Sequence, residues 1–350
     1  MKITVPELSL VVLMGASGCG KSTFARKHFK STEVLSSDFC RGLVADNEND
    51  QTVSKQAFEV LHFVARKRLA LGRLTVIDAT NVQPEARKPL IALAKEMHVL
   101  TTAIVLNVPE KVCLERNRSR PDRDFGPHVV RNQSRDLRQS LRGLEREGFR
   151  QVHILSPEEI DVVEVGRQPL WTNLKHQHGP FDIVGDIHGC FDELRSLLEQ
   201  LGYEVNGDYH LTPPPGRKAV FLGDLVDRGP KVPEVLKLVM NAVDAGTALC
   251  VPGNHDVKLL RKLKGRDVKL THGLAETMQQ LAAEPPEFSQ RVSKFIDKLV
   301  GHYVLDDGKL VVAHAGLKQE LQGRSSGHVR EFALYGETTD ETDEFGLPVR

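Results

Sequence analysis

Two groups of residues in this chain are spaced to handle phosphate, and their chemistries run in opposite directions. The first is Gly15-Ala16-Ser17-Gly18-Cys19-Gly20-Lys21-Ser22. Glycines at 15, 18 and 20 let backbone N–H groups converge on phosphate oxygens. Lys21 adds a positive charge at the β and γ phosphates of ATP, and Ser22 offers its hydroxyl to Mg²⁺. Ser17 and Thr23 complete the expected nucleotide contacts. A structural glycine turn is the competing reading, and the strand pattern before the loop and the helix pattern after it oppose that.

The second group is dispersed over four segments: Gly185-Asp186-Ile187-His188-Gly189, Gly223-Asp224 with Asp227-Arg228-Gly229, Gly253-Asn254-His255-Asp256, and His314-Ala315-Gly316. Asp186 and His188, one residue apart, point to the same side of an extended segment and share one metal. Asp224 bridges two metals through its two oxygens, and Asn254 and His314 hold the second. Oxygen and nitrogen donors without thiolate suit Mn²⁺, Ni²⁺ or Fe rather than structural zinc. Two ions ~3.5–4 Å apart clamp an attacking hydroxide and the ester oxygens. Arg228 binds the phosphate with its two-pronged guanidinium. His255 is placed to protonate the leaving alkoxide. Any one of these histidines alone reads as structural, but four segments in order argue for a site.

Elements to carry these residues are visible in the hydrophobic pattern. Leu8 to Met14 is a continuous apolar run that suits a buried parallel strand, with a helix opening at Ser22. Ser54 to Leu71 is helical by period. Leu74 to Asp78 and Val99 to Val108 are further strands, and Pro84 suits the first turn of a helix that Pro89 must break or restart. Strands alternating with helices predict an α/β parallel sheet with ligands at the strand carboxyl ends. Phe181–Val184, 219–222, 248–251 and Leu310–Ala313 are short apolar strands, each ending in a motif. With helices over 191–201 and 232–245 they predict a second α/β unit, a central sandwich with a polar rim. Residues 257–300 read as a charged helical insertion over the second site. Ser156 to Pro180 reads as the junction, with His176 and His178 on a surface linker. The expected domains are 1–170 and 171–350.

Near the first loop, Ser36-Ser37-Asp38-Phe39-Cys40-Arg41 follows Val34-Leu35, where a second strand ends. Asp38 can accept a proton from an acceptor hydroxyl and Arg41 can hold a phosphate on that acceptor. An N-cap is the competing role for Asp38. Asp78 ends its strand where a second carboxylate sits near the Mg²⁺ water shell, with a plain cap or turn as the alternative. Arg116 to Arg142 is crowded with arginines, which suit phosphates; a solvated helix face competes.

Composition bounds the class. At 350 residues, 40% apolar and 27% charged, the chain has material for two cores. Lys plus Arg and Asp plus Glu both number 47, which argues against a chain-wide basic surface for duplex nucleic acid, and binding to nucleic acid is expected to be local with a shallow salt slope. Five scattered cysteines suggest reduced thiols rather than disulfides. With no signal-like start and no apolar run approaching the ~20 residues of a membrane span, the expected location is cytoplasmic.

The loop, Ser37-Asp38 with Arg41, Asp78-Ala79-Thr80-Asn81 and the arginine cluster Arg116-Asn117-Arg118-Ser119-Arg120 resemble the 5′-OH polynucleotide kinase domain over residues 1 to about 170. That resemblance implies that Asp38 and Arg41 engage the 5′-OH and the adjacent phosphate, and that Arg116 and Arg120 come from a lid over the donor phosphates, with Arg123 a further lid residue. The second half resembles the binuclear metallophosphoesterases, including phosphoprotein phosphatases and dinucleoside polyphosphate hydrolases. In order, the two halves resemble the bacterial polynucleotide kinase–phosphatase of RNA end-repair systems. This implies ATP-dependent phosphorylation of 5′-OH ends and metal-dependent removal of 3′-phosphate or 2′,3′-cyclic phosphate, with RNA or DNA ends as partners and a ligase-type domain alongside. No Lys-x-Asp-Gly-like motif for such a domain is present. The alternative is a small-molecule kinase fused to a dinucleoside polyphosphate or protein phosphatase. The resemblance also implies one further metal-ligand histidine downstream of His314; His328 follows too closely to match it. The acidic stretch from Tyr335 to Glu344 reads as a second domain truncated at its end.

Overall fold

The computed structural model describes residues 1–119 and 126–337 and divides into two compact units. The first comprises Met1–Leu170 with Arg324–Ser326, and the second Trp171–Gly323 with the chain from Gly327. Among the described residues no helix is long and apolar enough to cross a membrane.

In unit 1 the elements are β1 (Lys2–Pro6), β2 (Ser9–Met14), α1 (Lys21–His28), β3 (Val34–Ser36), α2 (Ser37–Ala45), α3 (Ser54–Ala70), β4 (Thr75–Asp78), α4 (Pro84–Glu96), β5 (Leu100–Leu106), α5 (Glu110–Arg118), α6 (Pro127–Ser140), α7 (Leu144–Glu147), β6 (Gln151–Leu155), α8 (Pro157–Val162) and β7 (Glu164–Gln168). Five strands form a parallel sheet in the order β3-β4-β2-β5-β6. β2 lies at its centre, which explains its unbroken apolar run. Leu10, Val12 and Met14 pack into one core while Val11 and Leu13 pack into another on the opposite face. A strand covered on both faces has no side left for polar residues. Gly15, Ser37 and Asp78 all fall at the carboxyl edge of this sheet.

Two sequence expectations change here. Pro89 does not break α4, which runs unbroken from Pro84 to Glu96. Pro89 is exposed, and its missing N–H would have bonded Glu85 in the exposed first turn, where water can satisfy the carbonyl. The N-cap of α2 is Ser36, whose hydroxyl accepts from Phe39 N; Asp38 lies inside the first turn. The junction stretch before Pro180 carries α8 and β7, and β7 pairs in parallel with β1.

Unit 2 contains β8 (Asn173–Leu174), β9 (Phe181–Val184), α9 (Phe191–Gln200), β10 (Glu204–Val205), β11 (Leu211–Thr212), β12 (Lys218–Phe221), α10 (Val232–Asp244), β13 (Ala248–Cys250), α11 (Asn254–Leu263), α12 (Leu274–Ala282), α13 (Pro286–Lys298), β14 (His302–Leu305), β15 (Leu310–Ala313) and α14 (Gly327–Tyr335). Two three-stranded sheets form, β13-β12-β9 and β15-β14-β8. Val220 of β12 packs with Leu305 and Val312, between the sheets, whereas Ala219 and Phe221 face the helices. Period-two alternation on one strand thus feeds two layers. The segment 257–300 is part of this core rather than an insertion laid over the site. Leu274, Leu281, Phe288, Val292 and Ile296 are buried with α10 and β12.

His302 is 1% exposed and its Nε2 accepts from Gly323 N at 2.9 Å, an arrangement that requires the neutral ring. Burial pushes its pKa down to about 4 from 6.5. Above pH 6.5 the ring is neutral folded or unfolded and contributes no pH dependence. Between 6.5 and about 4 the unfolded chain binds the extra proton, so stability is lost by up to about 3 kcal/mol. Thermal melts at pH 7 and pH 4.5 should show a smaller acid penalty for His302→Gln than for the parent protein.

Candidate functional site

The P-loop turns from β2 into α1 around a cavity of about 210 Å³ lined by Ser17, Gly18, Gly20, Lys21, Ser22, Asp38, Arg41 and Asp78. Residues from the carboxyl ends of β2, β3 and β4 therefore face one space, as a parallel sheet demands. Gly15 and Thr23 do not line it; Thr23 is exposed on α1. Gly18 has φ 85, and a Cβ there would meet Cys113 O at 2.4 Å, so only glycine fits. Lys21 is turned back on the loop, donating to Gly15 O at 2.8 Å and Ala16 O at 3.1 Å. Ser17 N donates to Gln133 Oε1 at 2.8 Å. Incoming phosphate oxygens would replace these acceptors.

Arg41 is buried and forms an ion pair with Asp38, while its Nε donates to Glu48 O at 2.8 Å. Burial pulls its pKa below the ordinary guanidinium value. The two residues expected at an acceptor hydroxyl are thus already held together at the cavity wall. Arg116 approaches the P-loop at Gly20. Arg120 and Arg123 lie outside the described residues.

In unit 2, Asp186, His188, Asp224, Asn254 and His314 converge from loops that follow β9, β12, β13 and β15. Two clusters of donor atoms share Asp224: Asp186, Asp224 and His314, and His188, Asp224 and His255, each within 4.8 Å. Asp224 Oδ2 is 3.8 Å from His188 Nε2 and 3.6 Å from His314 Nε2. Its Oδ1 accepts from His255 N at 3.0 Å. Oδ2 thus faces a histidine of each cluster, while Oδ1 accepts from the backbone. Asp186 also reaches both sides, with Oδ2 3.9 Å from His188 Nε2 and Oδ1 3.8 Å from His314 Nδ1.

The donors are set for cations. His188 Nδ1 donates to Val226 O at 2.9 Å and His314 Nδ1 to Leu222 O at 2.8 Å, since a carbonyl only accepts. Each ring then presents an Nε2 lone pair to the centre, the second-sphere pattern of metal-binding histidine. His188 Nε2 is buried without a hydrogen-bond partner. His314 Nε2 faces Asn254 Oδ1 at 3.1 Å, two acceptors that a cation would reconcile. The residues fit a pair of divalent ions, with His188 and Asp224 on one side, Asp224, Asn254 and His314 on the other, and Asp186 within reach of both.

Backbone strain gathers at this centre. His188, Asp224, Asp227 and Arg228 have φ of 49, 47, 71 and 68, a left-handed conformation that costs ~1–3 kcal/mol each outside glycine. A Cβ on Gly253 would fall 2.0 Å from Asp224 Oδ1, so this glycine lets the two motif loops touch. Arg228 is exposed. Burial and the neighbouring Asp224 push the Asp256 carboxyl up to about 7, against N–H donors from Gly253 and Leu225. His328 is exposed on α14 and belongs to none of the donor clusters found among the described residues.

Asp227 bears no mark of a role in the sequence beyond its place in the Asp227-Arg228-Gly229 segment. Asp227 is fully buried and its Oδ2 takes His255 Nδ1 at 2.6 Å, leaving Nε2 free. Thr277 and Gln133 carried no signal, being far from any motif. Nor was an acid partner for His178 visible: its Nδ1 bonds Asp306 Oδ1 at 3.0 Å, across 128 residues, with Lys309 3.9 Å from both Asp306 and Asp307.

The fold and site define an enzyme with a P-loop kinase-like domain followed by a metallophosphoesterase domain. Residues 10–144 match the family described as AAA domain, and residues 179–344 match the calcineurin-like phosphoesterases. The chain belongs to the calcineurin-like phosphoesterase family. A bis(5′-nucleosyl)-tetraphosphatase PrpE (asymmetrical) of Geobacillus sp. (strain WCH70) is 43% identical over 173 residues, covering 48% of this chain and 70% of that protein. A second, from Bacillus velezensis (strain DSM 23117 / BGSC 10A6 / LMG 26770 / FZB42), is 45% identical over 49% of this chain and 70% of its own length. Among solved structures, one of the Pnkp1/Rnl/Hen1 RNA repair complex covers 71% of this chain and 81% of that one, at 12% identity and a TM-score of 0.36.

Proposed function

We propose that this chain heals nucleic-acid ends. Unit 1 transfers the γ-phosphoryl group of ATP to a 5′-OH, and unit 2 removes a 3′-phosphate or a 2′,3′-cyclic phosphate. The observation that carries the reading is the Asp38–Arg41 pair at the P-loop cavity, on a chain whose other unit is built to remove phosphate. A carboxylate beside a buried guanidinium suits an acceptor that presents a hydroxyl next to a phosphodiester. The two products, a 5′-phosphate and a 3′-OH, are the ends that a ligation requires.

In unit 1, Lys21 and the loop N–H groups bind the donor phosphates and Ser22 holds Mg²⁺, which shields the developing charge. Asp38 orients the 5′-OH and takes its proton, while Arg41 fixes the adjacent phosphate. In unit 2, Asp186, His188, Asp224, Asn254 and His314 would hold two divalent ions such as Mn²⁺ or Ni²⁺, which would supply charge stabilisation and lower the pKa of water. Arg228 grips the phosphate oxygens. His255, oriented by Asp227, protonates the leaving oxygen from Nε2.

Labelled ATP, Mg²⁺ and a 5′-OH RNA oligonucleotide test the first half. Label is expected on the RNA, with a loss of at least about 100-fold in Asp38→Ala. Transfer to a nucleoside or sugar but to no oligonucleotide would overturn the reading. A second reading is favoured by the 43–45% identity to bis(5′-nucleosyl)-tetraphosphatases: unit 2 cleaves dinucleoside polyphosphates. Parallel turnover of a 3′-phosphorylated oligonucleotide and a bis(5′-nucleosyl) tetraphosphate separates the two by their kcat/KM.

A further inference from the structure

Helix α12 carries no phosphate or metal motif, yet it grips the loop that bears Arg228. Thr277 is fully buried; its Oγ1 donates to Asp227 Oδ1 at 2.7 Å and accepts from Asp227 N at 3.0 Å. The other oxygen of Asp227 takes His255 Nδ1 at 2.6 Å. About a turn further on, Gln280 Nε2 donates to Gly229 O at 3.0 Å and its Oε1 accepts from Val232 N at 2.8 Å. Before the helix, Gly273 lies so close that a Cβ would fall 2.4 Å from Arg228 N. The gripped loop is the strained one, with left-handed backbone at both Asp227 and Arg228. Such a conformation persists only where its surroundings hold it.

We propose that Thr277 is a positioning residue for phosphate-ester hydrolysis in unit 2. Acting through Asp227, it fixes the His255 ring so that Nε2 faces the leaving oxygen. The inference rests on the hydrolytic role of unit 2 given above. In the step concerned, a water oxygen forms a new bond to phosphorus. The ester P–O bond breaks with its electron pair going to the departing oxygen. That oxygen takes the Nε2 proton of His255, and the proton released by the attacking water restores it. Asp227 holds Nδ1–H throughout. Without the Thr277 hydroxyl, one oxygen of a fully buried carboxylate loses its donor, and the carboxylate turns away from the histidine to find another.

A positioned proton donor matters for a poor leaving group and little for a good one, which gives a readout that loss of packing does not imitate. Thr277→Val is expected to lower kcat on a nucleoside 3′-phosphate by about 30-fold with KM within about twofold. On p-nitrophenyl phosphate, whose phenolate leaves unaided, the fall should be under about threefold. Thr277→Ser, which restores the hydroxyl, should recover the parent rate within about threefold, and Thr277→Val should cost nothing further in an Asp227→Asn background. If the valine variant does not fold, Thr277→Ala removes the hydroxyl with less apolar bulk and reads the same contrast. Equal losses on both substrates, no loss on either, or a serine variant as slow as valine would overturn the proposal while leaving the hydrolytic reading intact. A parent protein that turns over neither ester with Mn²⁺ or Ni²⁺ overturns both.

Discussion

Asp224→Asn is expected to lower phosphate-ester hydrolysis by about a thousandfold or more while leaving phosphoryl transfer within twofold. The carboxylate is common to both donor clusters, and its Oδ2 faces His188 and His314 at 3.8 and 3.6 Å. An amide keeps the shape but removes the charge on which both cations depend. Replacing a single-cluster donor such as Asn254 or His314 weakens one ion. Replacing Asp224 weakens two, so titration calorimetry with Mn²⁺ should show loss of both binding events in Asp224→Asn. The substitution should leave the fold intact, because the Asp224 carbonyl still accepts from Ile187 N and His188 N. Retention of half the hydrolytic rate would remove the two-metal account. Chelation of the parent protein should reproduce the same loss, reversibly on re-addition of Mn²⁺.

The second large effect lies in unit 1. Lys21→Ala should reduce transfer from ATP by about a thousandfold, with hydrolysis in unit 2 unchanged. The ammonium group is buried, at 9% exposed, among loop carbonyls, where it is placed to bring its charge to the β and γ phosphates. Transfer has little covalent work for the protein to do and depends on positioning and charge. The stability cost should be small, because the lost contacts are one long hydrogen bond to Cys19 Sγ and two to carbonyls that water can reach once the side chain is gone. A rate within tenfold of the parent would mean that the loop does not hold the donor phosphates. Since each unit has its own core, each substitution also controls for the other.

The sequence by itself determined which residues belong together along each strand end. The continuous apolar run of β2 and its glycine loop announced a central parallel strand. The Asp-x-His, Gly-Asp, Gly-Asn-His and His-Ala-Gly segments announced donors carried on successive strand ends. These signals are local: the period of burial and the special backbone of glycine are written within a few residues of one another. Pro89 inside α4 was misjudged and the pairing of β7 with β1 was not visible, because the side of a helix that faces water, and the pairing of strands far apart in the chain, depend on chain folding rather than on neighbours.

Only the tertiary structure decided how the donors share their work. That Oδ2 of Asp224 faces both clusters follows from His255 N occupying Oδ1, a contact between residues 31 apart. That Asp227 is a buried partner of His255, and Thr277 the partner of Asp227, follows from bonds spanning 28 and 50 residues. An Asp or a Thr on a helix carries no mark of such a role, because a hydrogen bond made across the fold has no periodicity in the sequence. Residue type and spacing fix what a group can do; the geometry of its distant partners fixes whether its free electron pair or proton points at the reacting atoms.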